Sequence, residues 1–218
     1  MKILELFSGT ESFSKVARER GHECFTIDMD LSFNPDLCID ILNFDIKMLP
    51  KEFRTPDVIW ASPPCTSFSV ASIYRYWKEG YPKNYKAFIG LAIVCKTIEL
   101  INVLKPKFWI IENPRGMLRK QKLMEGLKRD TVTYCQYGTT TQKPTDLWNN
   151  LKDWKPKPMC KPGADCHEKA SRGARAGIQG INNSFSNLGS KGKVKRAIVP
   201  KELCEEIIKY CEQKENEN

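Results

Sequence analysis

The stretch Lys2-Ile3-Leu4-Glu5-Leu6-Phe7-Ser8-Gly9-Thr10 decides the fold. Six residues rich in β-formers run into a glycine-containing turn, and the segment from Phe13 to Arg20 then takes up helical spacing. His22 to Asp28 reads as a second strand, Leu37 to Ile41 as a short third, and Asp57 to Ala61 as a fourth, introduced by Pro56 and stopped by Pro63-Pro64. Tyr85 to Leu104 places Leu91, Val94, Cys95, Ile98, Ile101 and Leu104 at helical intervals, which predicts a helix with a buried stripe. Phe108 to Ile111 is a wholly apolar fifth strand that ends at Glu112-Asn113-Pro114. Strands alternating with helices argue for an α/β fold with a mostly parallel sheet.

After Gly138 this order fades. Residues 150 to 195 are rich in Lys, Pro, Gly, Ser and Asn and read as a loop-rich insertion; Pro200 to Tyr210 recovers a helix with Leu203, Ile207 and Ile208 on one face, and Gln213 to Asn218 is expected to fray. The expected organisation is a cofactor-binding core over 1–148, a small basic region over 149–190 and a C-terminal segment over 191–218 that returns to the core.

The chain has 218 residues and a net charge of +9. Residues 136 to 200 carry 12 Lys and Arg against 4 Asp and Glu, so nearly all of the excess is local. A basic patch of that kind is the footprint of a surface that binds a polyanion, or else a solvated face with no partner. No run of uninterrupted apolar residues is long enough to cross a bilayer, and no export signal opens the chain, so no membrane is expected and the nine cysteines are expected to be mostly reduced thiols in a cytoplasmic protein.

Three constellations carry chemistry. Phe7, Ser8, Gly9 and Thr10 form a turn at the carboxyl end of strand one, where a ligand can approach the backbone at a helix N-terminus. An ordinary tight turn would look the same. Asp28 with Met29, and Asp40 with Ile41, end strands two and three, where acidic side chains can accept hydrogen bonds from a nucleoside. Ser62-Pro63-Pro64-Cys65-Thr66-Ser67 puts a thiol on a rigid loop at the same sheet edge, positioned as a nucleophile. Glu112 should emerge beside it as an acid. Cysteines in the helix and strands, such as Cys95 and Cys135, better suit the role of small buried hydrophobes.

In this order the residues resemble the cytosine-5 DNA methyltransferase family. Leu6-Phe7-Ser8-Gly9 is similar to its cofactor motif, Pro63-Pro64-Cys65 to its catalytic loop, Glu112-Asn113-Pro114 to its acidic motif, and Ala197-Ile198-Val199-Pro200 to its C-terminal motif. The resemblance implies a Rossmann-like methyltransferase fold, S-adenosyl-L-methionine as cofactor and DNA as partner of a monomer. It implies that Cys65 adds to C6 of a flipped cytosine while Glu112 holds and protonates N3, and that the methyl then passes to C5. Phe7 to Thr10, Asp28, Met29, Asp40, Ile41, Pro63, Ala197 and Val199 would line the cofactor. An RNA cytosine methyltransferase and a catalytically silent nucleic-acid-binding relative are the alternatives.

The departures from the pattern matter as much. Glu11 or Ser12 stands where the family has a further glycine, Thr66 stands where it has a glutamine, and Gly138 and Thr140 stand where it has two arginines. Lys143 is the substitute by position for the arginine that would contact cytosine O2. Lys195 or Arg196 near the sulfonium would favour a negatively charged donor. The short basic region implies a short or relaxed target, met by Ser67 and by phosphate contacts from Lys152, Lys155, Lys157, Lys161, Arg172 and Arg175. Cys160, Cys166 and His167 could bind zinc, but the fourth ligand is not evident and tetrahedral sites usually show a tighter cysteine pair, so no metal is assigned. Restriction protection and phage self-modification would use the same residues.

Overall fold

The computed structural model describes residues 1–168 and 197–217. Seven strands form one twisted sheet: β1 (Lys2–Leu6), β2 (Glu23–Asp28), β3 (Leu37–Cys38), β4 (Val58–Ala61), β7 (Phe108–Pro114), β8 (Arg129–Thr133) and β9 (Pro144–Asn149). Their order is β3-β2-β1-β4-β7-β9-β8. The pairs β3–β2, β2–β1, β1–β4 and β4–β7 are parallel, and β9 runs antiparallel to both of its neighbours. A two-stranded ribbon of β5 (Trp77–Lys78) and β6 (Tyr81–Pro82) lies in the connection after β4. This is the expected α/β class with a mostly parallel sheet.

Period-2 alternation sends the strand residues to two cores, one on each face of the sheet. Leu4, Leu6, Ile59, Ala61 and Ile111 pack on one face with α3 (Tyr85–Leu104). Ile3, Val58, Trp60, Ile110 and Leu147 pack on the other with α1 (Ser12–Glu19) and the C-terminal α4 (Lys201–Asn216). Phe13 of α1 stacks on Trp60 at 4.5 Å between ring centres. A fourth, short helix, α2 (Ile73–Tyr76), precedes β5.

α3 has the predicted bounds, and Asn84 caps it by accepting from the Ala87 amide at 3.3 Å. By length and composition it could cross a membrane, but its buried face, Ala87, Gly90, Val94, Thr97, Leu100, Ile101 and Leu104, packs on the sheet. Cys95, expected in that stripe, lies on its exposed side. The expected third strand ends at Cys38, because Asp40 turns the chain by accepting from the Leu42 amide at 3.0 Å. β7 does not stop at Ile111: Glu112, Asn113 and Pro114 continue it, paired with Leu147, Asp146 and Thr145 of β9. α4 continues to Asn216 where fraying is expected from Gln213, held by Lys107 to Glu215 and by Lys214 to Asp153 and Glu217.

The start of α1 is built from the sheet. The residue before it, Glu11, is in left-handed conformation (φ 54°), and its side chain caps nothing. Glu5, buried in β1, does the capping: its carboxylate accepts from the Ser14 amide at 2.8 Å and more weakly from Phe13 at 3.4 Å. Burial outweighs those hydrogen bonds and raises the Glu5 carboxyl from 4.5 to about 7. A carboxyl raised in the folded state contributes stability that is fully present below about pH 4.5 and is lost as pH rises through about 7. The loss is at most about 3 kcal/mol. Urea unfolding of the wild type and Glu5→Gln should therefore diverge between about pH 5 and about pH 8, the wild type falling more steeply, whereas parallel curves would show that Glu5 does not titrate in this range.

Candidate active site

The strand order reverses between β1 and β4, and in open α/β sheets the crevice at that point holds the ligand. Two loops leave the sheet there side by side, tied by the Ser62 amide donating to the Leu6 carbonyl at 3.2 Å. The first is the turn Phe7–Glu11. Phe7 (φ 60°), Gly9 (φ 45°) and Glu11 (φ 54°) all take left-handed backbone, which glycine adopts freely and which strains Phe7 and Glu11. The turn is pinned by Ser8 N–H to the Ile27 carbonyl at 3.1 Å and by Gly9 N–H to Asp28 Oδ2 at 2.8 Å. Asp28 thus orders the turn, and its other oxygen accepts from the Asp30 amide at 2.9 Å. Met29 beside it is 68% exposed at the rim.

Val199 lies beside this turn. Val199 is buried, and its amide donates to Ser12 Oγ at 3.1 Å; Ser12 Oγ also meets Thr10 Oγ1 at 3.0 Å. Ala197 is exposed nearby along the chain. Ile41 is buried in the core with Phe44 and Leu49, so its side chain is committed to packing rather than presented to a ligand.

The second loop carries Cys65, which is half-buried. Its carbonyl accepts from Phe68 and Ser69 amides at 3.0 and 2.9 Å, a tight turn that continues the constraint set by Pro63 and Pro64. The loop is clamped from the side of β7. Asn113 Nδ2 donates to the Pro63 carbonyl at 2.8 Å, Met117 N–H donates to the Phe68 carbonyl at 2.7 Å, and Ser69 bridges Gly116. A Cβ on Gly116 would sit 2.2 Å from the Phe68 carbonyl oxygen, so only glycine admits this approach. Ser67, expected to meet nucleic acid, is instead 3% exposed: it is turned against Gly90 of α3, where an added Cβ would lie 2.4 Å from Ser67 Oγ. Trp77 Nε1 donates to the Ser67 carbonyl at 2.6 Å, so this residue serves the loop's footing.

Because Ala61 pairs with Ile111, the Cys65 loop leaves β4 beside Glu112, the next residue of β7. Glu112 is buried; its Oε1 accepts from Tyr134 Oη at 2.9 Å and faces Lys143 Nζ at 3.9 Å. Burial, and then the Glu112 charge, push the Tyr134 hydroxyl well above its usual value, so it stays protonated and donates. Lys143 Nζ also lies 4.4 Å from the centre of the Tyr134 ring. Lys143 therefore stands beside Glu112. Sequence reasoning missed Tyr134; its signal was only a tyrosine after a β-rich run. Gly138 has φ 83°, a left-handed backbone position that favours glycine.

Two buried polar atoms beside this crevice, Ser8 Oγ and Asn113 Oδ1, have no hydrogen-bond partner among the described residues. Buried polar atoms of this kind call for a hydrogen-bonding partner.

Of the expected phosphate contacts, Lys152, Lys155 and Lys161 are exposed. Lys157 is not available in the same way: its Nζ donates to the Gln136 carbonyl at 3.1 Å, pairs with Glu202 at 3.0 Å and lies over the Tyr137 ring, so it ties this segment to α4. Arg172 and Arg175, like Lys195 and Arg196, lie outside the described residues.

The family model for C-5 cytosine-specific DNA methylases matches residues 1–131. A Frog virus 3 (isolate Goorha) protein described as a probable DNA (cytosine-5)-methyltransferase is 32% identical over 225 residues, spanning 97% of this chain and 100% of that protein. Among solved structures, a protein encoded within an E. coli prophage and described as a DNA modification methyltransferase superposes with a TM-score of 0.50 at 17% identity. That match covers 68% of this chain and 46% of the other, so this chain spans less than half of the solved relative, and the likeness concerns the fold. On the family model and the viral relative together, the chain belongs to the C-5 cytosine-specific DNA methylase family.

Proposed function

We propose that this chain transfers a methyl group from S-adenosyl-L-methionine to C5 of a cytosine flipped out of DNA, through a covalent bond between Cys65 Sγ and C6 of the base. The observation that carries this reading is the pairing of two clamped groups at one crevice: Cys65 on the loop held by Asn113 and Gly116, and Glu112 held by Tyr134 and Lys143. Catalysis by a nucleophile and an acid depends on holding both in place before the substrate arrives.

The cofactor supplies an electrophilic methyl when bound, and Ser8, Gly9, Asp28 and Val199 are the residues that would hold it. Cys65 as thiolate adds to C6, and electron density moves through the ring to C5 as N3 takes a proton from Glu112. Tyr134, which remains a donor, keeps the Glu112 carboxyl oriented during that transfer. Lys143 neutralises charge next to Glu112 and faces the position of cytosine O2. Once C5 carries the methyl, a base takes the C5 proton, N3 returns its proton to Glu112, and the C6–sulfur bond breaks to release Cys65 as thiolate. Base flipping is required because C6 is shielded within stacked DNA. Lys152, Lys155 and Lys161 then serve as phosphate contacts, which makes binding sensitive to salt and weak in sequence preference.

The test is nucleoside mass spectrometry of DNA and of RNA incubated with enzyme and S-adenosyl-L-methionine. We expect 5-methyldeoxycytidine in DNA, with a loss of at least about 10³-fold in Cys65→Ala. Methylation of RNA in place of DNA would move the assignment to the other polymer, and no product with either would overturn the enzyme reading. Lys143→Ala should lower kcat/KM by about 10- to 100-fold, the scale of one charge-assisted hydrogen bond, with Lys143→Arg recovering most of it. Equal losses in both variants would show that the charge is not what matters at 143.

A further inference from the structure

Away from the crevice, four side chains from three stretches of sequence converge. Cys135 lies in the turn after β8, Cys160 ends the extended segment that crosses α4, and Cys166 and His167 come one turn later. One ligand atom from each lies within 4.8 Å of all the others. Cys135, which by sequence suits an ordinary buried thiol, fills the fourth position that Cys160, Cys166 and His167 lacked.

The spacings can be compared with what an ion would impose. Zinc bonds of about 2.3 Å to sulfur and about 2.1 Å to nitrogen set tetrahedral edges of about 3.8 Å between sulfurs and about 3.6 Å between sulfur and nitrogen. Here Cys166 Sγ lies 3.6 Å from Cys135 Sγ, and His167 Nδ1 lies 3.7 Å from Cys160 Sγ and 3.5 Å from Cys166 Sγ. The Cys135–Cys160 edge is shorter, 3.1 Å, and would open slightly around an ion.

Two further observations point to a ligand. His167 is buried, its Nδ1 meets only the two sulfurs, and its Nε2 has no partner among the described residues. Thiols are weak hydrogen-bonding groups, so nothing within the cluster compensates for burying that ring. In addition, amide donors already face the sulfurs: Gln142 Nε2 lies 3.1 Å from Cys160 Sγ and Gln136 Nε2 lies 3.3 Å from Cys166 Sγ. Donors so placed stabilise thiolates, as outer partners of a metal site do.

We propose that Cys135, Cys160, Cys166 and His167 bind one zinc ion tetrahedrally, as a structural site. All four positions are filled by protein, which is the closed coordination of a structural and not a catalytic ion. The ion would join the turn carrying Tyr134, the donor to Glu112, to the segment that carries the basic side chains. The chain already runs together there: the Glu168 amide donates to the Thr140 carbonyl at 2.9 Å, and Cys160 N–H donates to Thr133 Oγ1 at 3.1 Å. Cys166 is exposed, which leaves an entry path for the ion.

The experiment is elemental analysis of the full chain purified without chelator, with cobalt substitution of the same protein. About one zinc per chain is expected, together with the thiolate charge-transfer and intense visible bands of tetrahedral cobalt. Cys166→Ser and His167→Gln should lower zinc occupancy at least about tenfold after dialysis against a weak chelator, while Cys95→Ser, on the far exposed face of α3, should retain it. Should Cys135→Ser fail to fold, the cobalt spectrum of the wild type and the protection of its cluster thiols from alkylation by bound zinc still decide the matter. A folded wild type that takes up neither metal overturns the proposal. So does recovery of a Cys135–Cys160 disulfide, without metal, from protein prepared in the absence of oxygen.

Discussion

The parallel pairing of β4 with β7 is the constraint on which the site depends. Ala61 and Ile111 are partners in register, so the proline-bounded loop is delivered beside Glu112, the next residue of β7, before any side chain is considered. Local contacts then tighten the loop. Asn113 reaches across to the Pro63 carbonyl, Gly116 lets the Phe68 carbonyl approach its backbone, and Ser62 ties the loop to β1 beside the Phe7–Glu11 turn. Each bond is ordinary in strength, but together they leave the Cys65 loop little freedom, and a preorganised nucleophile is worth more to a reaction than a mobile one.

The acidic group is held with the same economy. Glu112 sits in β7, whose far edge pairs with β9, and it accepts from a tyrosine that burial keeps protonated. Its cation is Lys143, at a left-handed backbone position just before β9. Relative to an arginine, a lysine gives a point charge without a planar fork, so it can balance the carboxylate but cannot grip a base edge in two places. Gly138, where the family resemblance implies an arginine, has the left-handed backbone that favours glycine.

Much of this is legible in the sequence because its signals are local. Short β-rich runs bounded by turn and proline signals mark β1, β2 and β4, and a long apolar helix between a capping Asn84 and Lys105 has its predicted bounds. The two antiparallel strands are not legible. β9 carries Asp146 and Asn149 fully inside, satisfied by Arg119 and Thr131 and by Asp130, and such a strand has no apolar alternation to read. Without β9, Glu112-Asn113-Pro114 reads as the end of a strand when it is its continuation. The exposed role expected of Ser67 fails for a related reason: its burial comes from α3 at Gly90, a contact set by tertiary packing. Lys157, one of several lysines in a basic run, is singled out only by its distant partners Gln136, Tyr137 and Glu202.

The central claim is that the thiol held by the β4–β7 clamp is the atom that attacks the base. DNA containing 5-fluorocytosine tests it most directly, because fluorine blocks loss of the C5 substituent and leaves the enzyme on the base. After incubation with S-adenosyl-L-methionine and proteolysis, mass spectrometry of the adduct should place the modified nucleotide on the peptide that contains Cys65, at Cys65 itself. An adduct on another cysteine, or unmodified Cys65 under conditions where ordinary DNA is methylated, would contradict the account.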